Sequence, residues 1–415
     1  MRNKNFLFII LGIAVLVDFY VFAGLKTIIQ PLTDKQKLFI QISYWTVSIL
    51  AIVCALSFAI SPALQGSKNF KTYVFSIVLG IFISKLICTI ILLIDDIRRI
   101  FTYGYFKIGH AISPDTISGD NTISRSVFLS WLGIAFGATL FGTMMFGFKN
   151  KYNYQVKKIK LKFDSLPLAF KGLKIVHISD IHSGSFQDKK AVEKGVAKIL
   201  AQKADLILFT GDLVNDRHDE MLEYMDLFAT LKAPMGVYST LGNHDYGDYV
   251  SWESEEAKRD NLNKLKAIHG QMGWKLMMNE HVVFNKEGAE IALLGIENWG
   301  AKGRFPKYGS MANAHKGAEH YPFKILMSHD PSHWDAEVKV KYSDVDLMLA
   351  GHTHGMQFGI ENPYFKWSPV QWMYHQWAGL YEDKKQKLYI NRGFGFIGYP
   401  GRVGILPEIT VIELA

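Results

Sequence analysis

Apolar positions fall into two patterns along the chain: long unbroken runs through the first third, and short runs separated by polar stretches from about Lys160 onward. Two regions that meet different solvents are expected. Phe6 to Leu25, Leu38 to Ile60, Tyr73 to Leu93 and Val127 to Phe148 are nearly free of charge. Each is about 20 residues long, enough to cross a hydrocarbon core of roughly 30 Å. Four transmembrane helices are predicted. Arg2 and Lys4 precede the first run, as in a secretory signal. A signal's apolar run usually spans only about 7–15 residues and ends at a small-residue cleavage site, whereas this run is longer and three more follow.

In the second region, Lys174 to Ser179, Asp205 to Thr210, Val237 to Leu241, Lys324 to Ser328 and Val345 to Ala350 are aliphatic or β-branched runs of strand length. Ala191 to Gln202, Glu220 to Leu231 and Glu255 to Met272 carry apolar residues at helical spacing. Strands alternating with helices predict an α/β domain. Asn298 to Tyr321 has no clear period and is expected to form a long loop. Ile360 to Tyr381 holds Phe365, Trp367, Trp372, Tyr374 and Trp377, which either floor a cleft or pack as core; core is the favoured expectation, because aromatics bury so much area. There is no internal repeat or low-complexity segment. The chain divides into a membrane anchor over residues 1–150 and a second domain over 151–415.

Charge adds orientation. Arg2 and Lys4, then Lys68 and Lys71, then Lys149, Lys151, Lys157, Lys158, Lys160 and Lys162 fall on one side of a four-span topology. That side is expected to be cytoplasmic, although Arg98, Arg99, Lys107 and Arg125 oppose the bias. The net charge of +8 is then mostly topology and attraction to anionic headgroups, with nucleic acid an unfavoured partner. Asp18 and Lys85 lie deepest in the apolar runs, at corresponding places in helices one and three. They are expected to pair, as a structural ion pair or as a functional element. The only cysteines, Cys54 and Cys88, lie in membrane segments, so a metal in the second domain must use nitrogen and oxygen ligands.

Each predicted strand ends in a polar cluster: Asp180 and His182; Gly211 and Asp212; Gly242, Asn243, His244 and Asp245; His329 and Asp330; Gly351, His352, His354 and Gly355. In α/β sheets, ligands gather beyond the carboxyl ends of strands. Taken singly, Asp180 and His182 could be a turn, Asp212 an N-cap and His329 a loop histidine. Packing gives no reason to cluster all of them behind apolar strands. Imidazole and carboxylate without thiolate suit Zn, Mn or Fe, and a carboxylate has two oxygens with which to bridge two ions. Two ions roughly 3.5–4 Å apart clamp a phosphoryl group and generate hydroxide between them, so phosphate ester hydrolysis fits best.

The order D-x-H, G-D, G-N-H-D, H and G-H-x-H resembles the calcineurin-like metallophosphoesterase superfamily, over Lys174 to about Ala415. The resemblance implies a two-layer β-sandwich with helices outside, and two divalent metal ions. It implies that Asp180, His182 and His354 hold one metal, that Asp212 bridges, and that Asn243, His329 and His352 hold the other. It places His244 over the phosphoryl group as a catalytic residue, with Asp245 as its expected orienter. The Gly-His-Thr-His-Gly-Met-Gln run and the tail segments Asn391-Arg-Gly-Phe-Gly, Pro400-Gly-Arg402 and Leu406-Pro-Glu408 are similar to the bacterial branch with membrane-anchored members, some of which cleave the pyrophosphate of UDP-diacylglucosamine in lipid A synthesis. Met356 stands where that branch often has glycine.

The expected protein is therefore a multi-pass membrane hydrolase with a phosphoester or pyrophosphate substrate, lipid-linked by preference since the anchor keeps the site near headgroups. A nuclease or cyclic-nucleotide phosphodiesterase, helped by a basic loop at Lys302, Arg304 and Lys307, is the alternative. A membrane sensor with a degenerate domain is the third reading; the complete ligand set argues against it. No protein partner or oligomeric state is indicated.

Overall fold

The computed structural model describes residues 4–61, 64, 67, 70–112, 125–303 and 305–415, so Arg2, Lys68 and Arg304 lie outside the described residues. Contacts divide the chain into Met1–Phe146 and Gly147–Ala415.

The first unit contains helices α1 (Lys4–Ile29), α2 (Asp34–Ile60), α3 (Phe75–Ile112, preceded by the π turn Phe70–Val74) and α4 (Val127–Gly147). All four are long and apolar enough to cross a membrane. Leu16, Phe39, Ile100 and Phe128 are left on the outside, where lipid rather than water is the matching solvent. Helix α3 runs well past Leu93, the expected end of its apolar run, and at 38 residues is about 57 Å long. The Asp95–Arg98 and Asp96–Arg99 pairs, one helical turn apart, support that extension. Asp18 and Lys85 pair as expected. Lys85 Nζ donates to Asp18 Oδ1 and to Ser48 Oγ, Ser48 Oγ lies 3.0 Å from the same carboxylate oxygen, and the Tyr44 hydroxyl donates to the Asp18 carbonyl at 2.8 Å.

The second unit contains fourteen strands among the described residues. One six-stranded sheet has the order β1 (Gln155–Leu161), β14 (Glu408–Leu414), β2 (Lys174–Ile178), β3 (Leu206–Thr210), β4 (Val237–Thr240) and β5 (Lys275–Leu276). The other has the order β12 (Gly379–Asp383), β13 (Gln386–Ile390), β9 (Leu347–Ala350), β8 (Lys324–Met327), β7 (Ala289–Gly295) and β6 (Glu280–Lys286). A hairpin of β10 (Ile360–Glu361) and β11 (Lys366–Trp367) stands apart. The five expected strands are β2, β3, β4, β8 and β9.

Alternation along each strand shows why these runs are continuously apolar. Ile175, Leu206 and Leu208 meet Ile291, Leu293, Ile325, Leu347 and Leu349 in a core between the two sheets. The intervening Val176, Ile207 and Phe209 face outward against Val192, Val196 and Ile199 of α5 (Lys189–Leu200), and Leu265 and Ile268 of α6 (Glu255–Gln271). On the other sheet Ala292, Leu294, Leu326 and Met348 pack outward against Met311, Trp334 and Val338. Both faces of each central strand are covered, so a period-2 structure reads as an unbroken apolar run. The result is the expected β-sandwich flanked by helices.

Two expectations are corrected. Glu220 to Leu231 is not one helix but the 3-10 turn His218–Met221 and a single α turn, Met225–Phe228. The Glu220 carboxylate folds back to accept from the amides of Asn215, Asp216 and Arg217, a local competitor to helix formation. Asn298 to Tyr321 is not loop throughout, because Ser310 caps a short helix, Met311–His315, by accepting from the Asn313 amide.

Candidate active site

The strands β2, β3, β4, β8 and β9 end at one edge of the sandwich and bring all seven expected ligands together. Asp180, His182 and His354 form one cluster of buried donor atoms, and Asp212, His329 and His352 a second. Asp212 lies between them. Its Oδ2 is 3.5 Å from His182 Nε2 and 3.2 Å from His329 Nε2. On one side, His182 Nε2 and His354 Nε2 are 3.1 Å apart, with Asp180 Oδ1 3.3 Å from His354 Nε2. On the other, Asn243 Oδ1 is 3.1 Å from His329 Nε2 and 2.8 Å from His352 Nδ1.

The backbone is strained to achieve this. Asp180, His182, Asp212, His352 and His354 all have left-handed φ, between 48° and 72°. Such residues cost on the order of 1–3 kcal/mol each and persist where the surrounding structure over-determines them. Close approach needs glycine at two turns: a Cβ at Gly211 would collide with the Gly242 amide, and one at Gly351 with the Ser179 hydroxyl and the Asp180 carboxylate.

Hydrogen bonds behind the ligands set which atoms face inward. His329 Nδ1 lies 2.7 Å from the Thr210 carbonyl, to which it can only donate, so His329 Nε2 is the nitrogen turned toward Asp212 and Asn243. His352 Nε2 contacts the Tyr374 hydroxyl at 2.9 Å, which turns Nδ1 toward Asn243. Arg402 is fully buried and donates to the carbonyls of His354 at 3.3 Å and Arg392 at 2.7 Å, holding the ligand turn against the tail. Burial pushes its guanidinium down to about 9. Burial opposes ionisation of Asp212, but the neighbouring His329 and His244 hold its carboxyl well below the usual range. For His329 burial acts downward, yet the Asp212 charge lifts the imidazole to about 10. His182 is pushed well below the ordinary histidine value by burial.

Carboxylate oxygens, an amide oxygen and imidazole nitrogens converge here. The donor set, N and O only with one carboxylate shared between two clusters, fits two divalent ions. Tyr374, Arg402 and the Thr210 carbonyl had no assigned role from sequence: Tyr374 was one aromatic among several, and Arg402 one letter of a tail pattern.

His244 is placed differently from the candidate ligands. Its amide donates to Asp212 Oδ1 at 2.9 Å, and its Nδ1 donates to the Asn215 carbonyl at 2.7 Å. The ring lines a cavity of about 230 Å³ together with five of the candidate ligands and with Tyr249, Phe305 and Ile397. Asp245 does not orient His244, contrary to expectation. Its carboxylate accepts from the amides of Gly242, Asp212, Leu213 and Val214 at 2.8–3.3 Å, knitting the β3 and β4 turns together. Burial, reinforced by the nearby Asp212 charge, raises it to about 7. A carboxylate that has folded into the amides of the preceding turn cannot also reach the imidazole.

Residues 1–151 match the calcineurin-like phosphoesterase transmembrane-domain family, and residues 173–356 match the calcineurin-like phosphoesterase family. Residues 173–356 form a calcineurin-like phosphoesterase domain. It is 28% identical over 305 residues to the metallophosphoesterase YkuE of Bacillus subtilis, covering 70% of this chain and 98% of that one. It is also 28% identical over 269 residues to a transmembrane protein with a metallophosphoesterase domain from Danio rerio, covering 63% of this chain and 57% of the relative. Phosphodiesterase YaeI of Escherichia coli is 26% identical over 242 residues, covering 58% and 82% respectively. This phosphoesterase is therefore a membrane protein and a metal-dependent phosphoester hydrolase, and the family's divalent metal requirement agrees with the two donor clusters.

Proposed function

We propose that this phosphoesterase hydrolyses a phosphodiester or pyrophosphate carried on a lipid, at a site that would hold two divalent metal ions with Asp212 shared between them. The observation that carries the reading is the position of Asp212 Oδ2 between the His182 and His329 imidazoles, at 3.5 and 3.2 Å. Asp180, His182 and His354 would hold one ion, and Asn243, His329 and His352 the other. When bound, the ions neutralise phosphoryl charge and lower the pKa of water. The chain's own residues do the rest. The cavity orients phosphorus so that water attacks opposite the leaving oxygen: one P–O bond forms, the P–O bond to the leaving group breaks, and a proton ends on the departing oxygen. His244, with Nδ1–H fixed on the Asn215 carbonyl, presents Nε2 to the cavity as donor of that proton when protonated, and as a charge stabiliser. Asp245 acts on the turn that carries Asp212.

The lipid-linked substrate class is supported by the membrane anchor and by Tyr249, Phe305 and Ile397 around the cavity. A nuclease is less favoured: Lys302 is engaged by the Met373 carbonyl and the Tyr374 ring, and Lys307 lies 4.4 Å from the centre of the Trp299 ring. Assay of the full chain in detergent with manganese, against a chromogenic phosphodiester, a monoester and a lipid-tailed pyrophosphate, tests the reading. Fastest turnover of the lipid-tailed compound is expected; equal turnover of soluble and lipid-tailed substrates would sink that choice. The catalytic unit faces the cytoplasm in this proposal, as the Lys/Arg bias favours. An alkaline-phosphatase reporter fused after Phe148 should be silent, and strong reporter activity would reverse the orientation.

A further inference from the structure

The hairpin β10–β11 and the turn after it, Pro369–Trp372, expose Ile360, Tyr364, Phe365, Trp372 and Met373 within fourteen residues of chain. Tyr364 is 98% exposed and Trp372 is 75% exposed, in a unit whose other aromatics are mostly buried or half-buried. Clustered exposed apolar side chains mark an interaction surface. This one is held in place: Asn362 Oδ1 accepts from the Tyr364 and Phe365 amides at 2.9 and 2.8 Å, and Ser368 Oγ donates to the Gly355 carbonyl at 2.9 Å. Gly355 directly follows the candidate ligand His354, so the hairpin is pinned to the metal-site turn. Met356, exposed and in a left-handed conformation at φ 54°, adds a further apolar side chain between them.

Connectivity places this surface beside the start of the unit. Gly147 ends the fourth membrane helix, and its carbonyl accepts from the Arg402 amide at 3.0 Å. The next amide, of Val403, donates to the Gln357 carbonyl at 2.8 Å, and the Gly359 amide returns to the Val403 carbonyl at 2.9 Å, one residue before β10. The strand register agrees. β1 runs parallel to β14, which runs antiparallel to β2, so Gln155, eight residues beyond Gly147, starts at the edge where β2 delivers Asp180. Gly147, the first residue of this unit, and the start of β1 thus lie at the same edge of the unit as the hairpin and the candidate metal site. Tyr and Trp, apolar with one polar atom, are the side chains enriched at the membrane–water interface.

We propose that Tyr364, Phe365, Trp372 and Met373 form an aromatic lip that rests in the headgroup layer of a lipid bilayer. This contact does not depend on the substrate being lipid-linked.

The full chain in phosphatidylcholine nanodiscs provides the test, with a nitroxide on Tyr364→Cys, on Phe365→Cys and, for comparison, on Leu168→Cys. Leu168 is 80% exposed and follows the opposite end of β1. The unsubstituted chain, with Cys54 and Cys88, supplies the labelling blank. Labels at 364 and 365 should be relaxed more by oxygen than by a water-soluble nickel chelate, and the label at 168 the reverse. Labels at 364 and 365 that behave as at 168, or that are shielded from both reagents as beneath a second copy or another protein, would overturn the proposal. An independent measurement is tryptophan quenching by brominated lipid, taken as the difference between the native chain and Trp372→Phe. A larger loss of emission from the native chain is expected, and equal fractional loss would contradict the lip.

Discussion

Two buried charged clusters, one in each unit, differ in how they are neutralised. Among the helices, Asp18 finds its counter-charge in Lys85 and its remaining partners in Ser48 and Tyr44, all from the chain. At the strand ends, Asp180, Asp212, Asn243 and four histidines converge, and among the described ion pairs the partners of both carboxylates are histidines, with no Lys or Arg. The first cluster closes on itself and specifies packing. The second sets two carboxylates among imidazoles that can hold metal ions, which makes it the candidate site.

The largest expected effect that separates the clusters is Asp212→Asn. The amide keeps the shape but loses the bridging charge, so hydrolysis should fall to background in a manganese-dependent assay; retained activity would remove Asp212 from the bridge. Next is His244→Gln, expected to lower turnover by about 10²–10⁴-fold with metal content unchanged by elemental analysis. Loss of metal instead would make His244 a ligand. In the other cluster, Asp18→Asn strands Lys85 among the helices and should cost about 3–5 kcal/mol in thermal unfolding in micelles, by analogy with buried pairs in soluble proteins. The double change Asp18→Leu with Lys85→Met should recover most of that stability, and the soluble unit's metal binding should not move in either variant. The smallest effect is expected from Tyr374→Phe, which removes the hydroxyl behind His352 and should weaken metal binding by about 10–100-fold, with turnover restored by excess manganese.

Much of this was legible in sequence because it is local. Continuous apolar runs gave β2, β3, β4, β8 and β9, since strands covered on both faces need no polar alternation, and the polar residues just beyond them are the seven that converge. What was not legible is non-local or depends on a local competitor. Nothing within Gln155–Leu161 announces that it pairs with Glu408–Leu414, more than two hundred residues away. The β6–β7 hairpin does carry a signal, Glu287-Gly288, both with positive φ as a tight hairpin turn requires. Glu220 breaks a helical pattern by capping the preceding amides, and Asp245 does the same to the proposed orientation of His244. The aromatic stretch divides between both expectations: Tyr374 and Trp377 are buried, while Phe365 and Trp372 are exposed. Periodicity could not separate them, because the hairpin is only two residues long on each side.

The most direct test of the bridging carboxylate is metal stoichiometry. The purified full chain, dialysed against manganese and analysed for bound metal, should hold two ions per chain, and Asp212→Asn no more than one, with hydrolysis lost in parallel. Two ions retained in Asp212→Asn, or full hydrolysis by a native chain that binds only one, would contradict it.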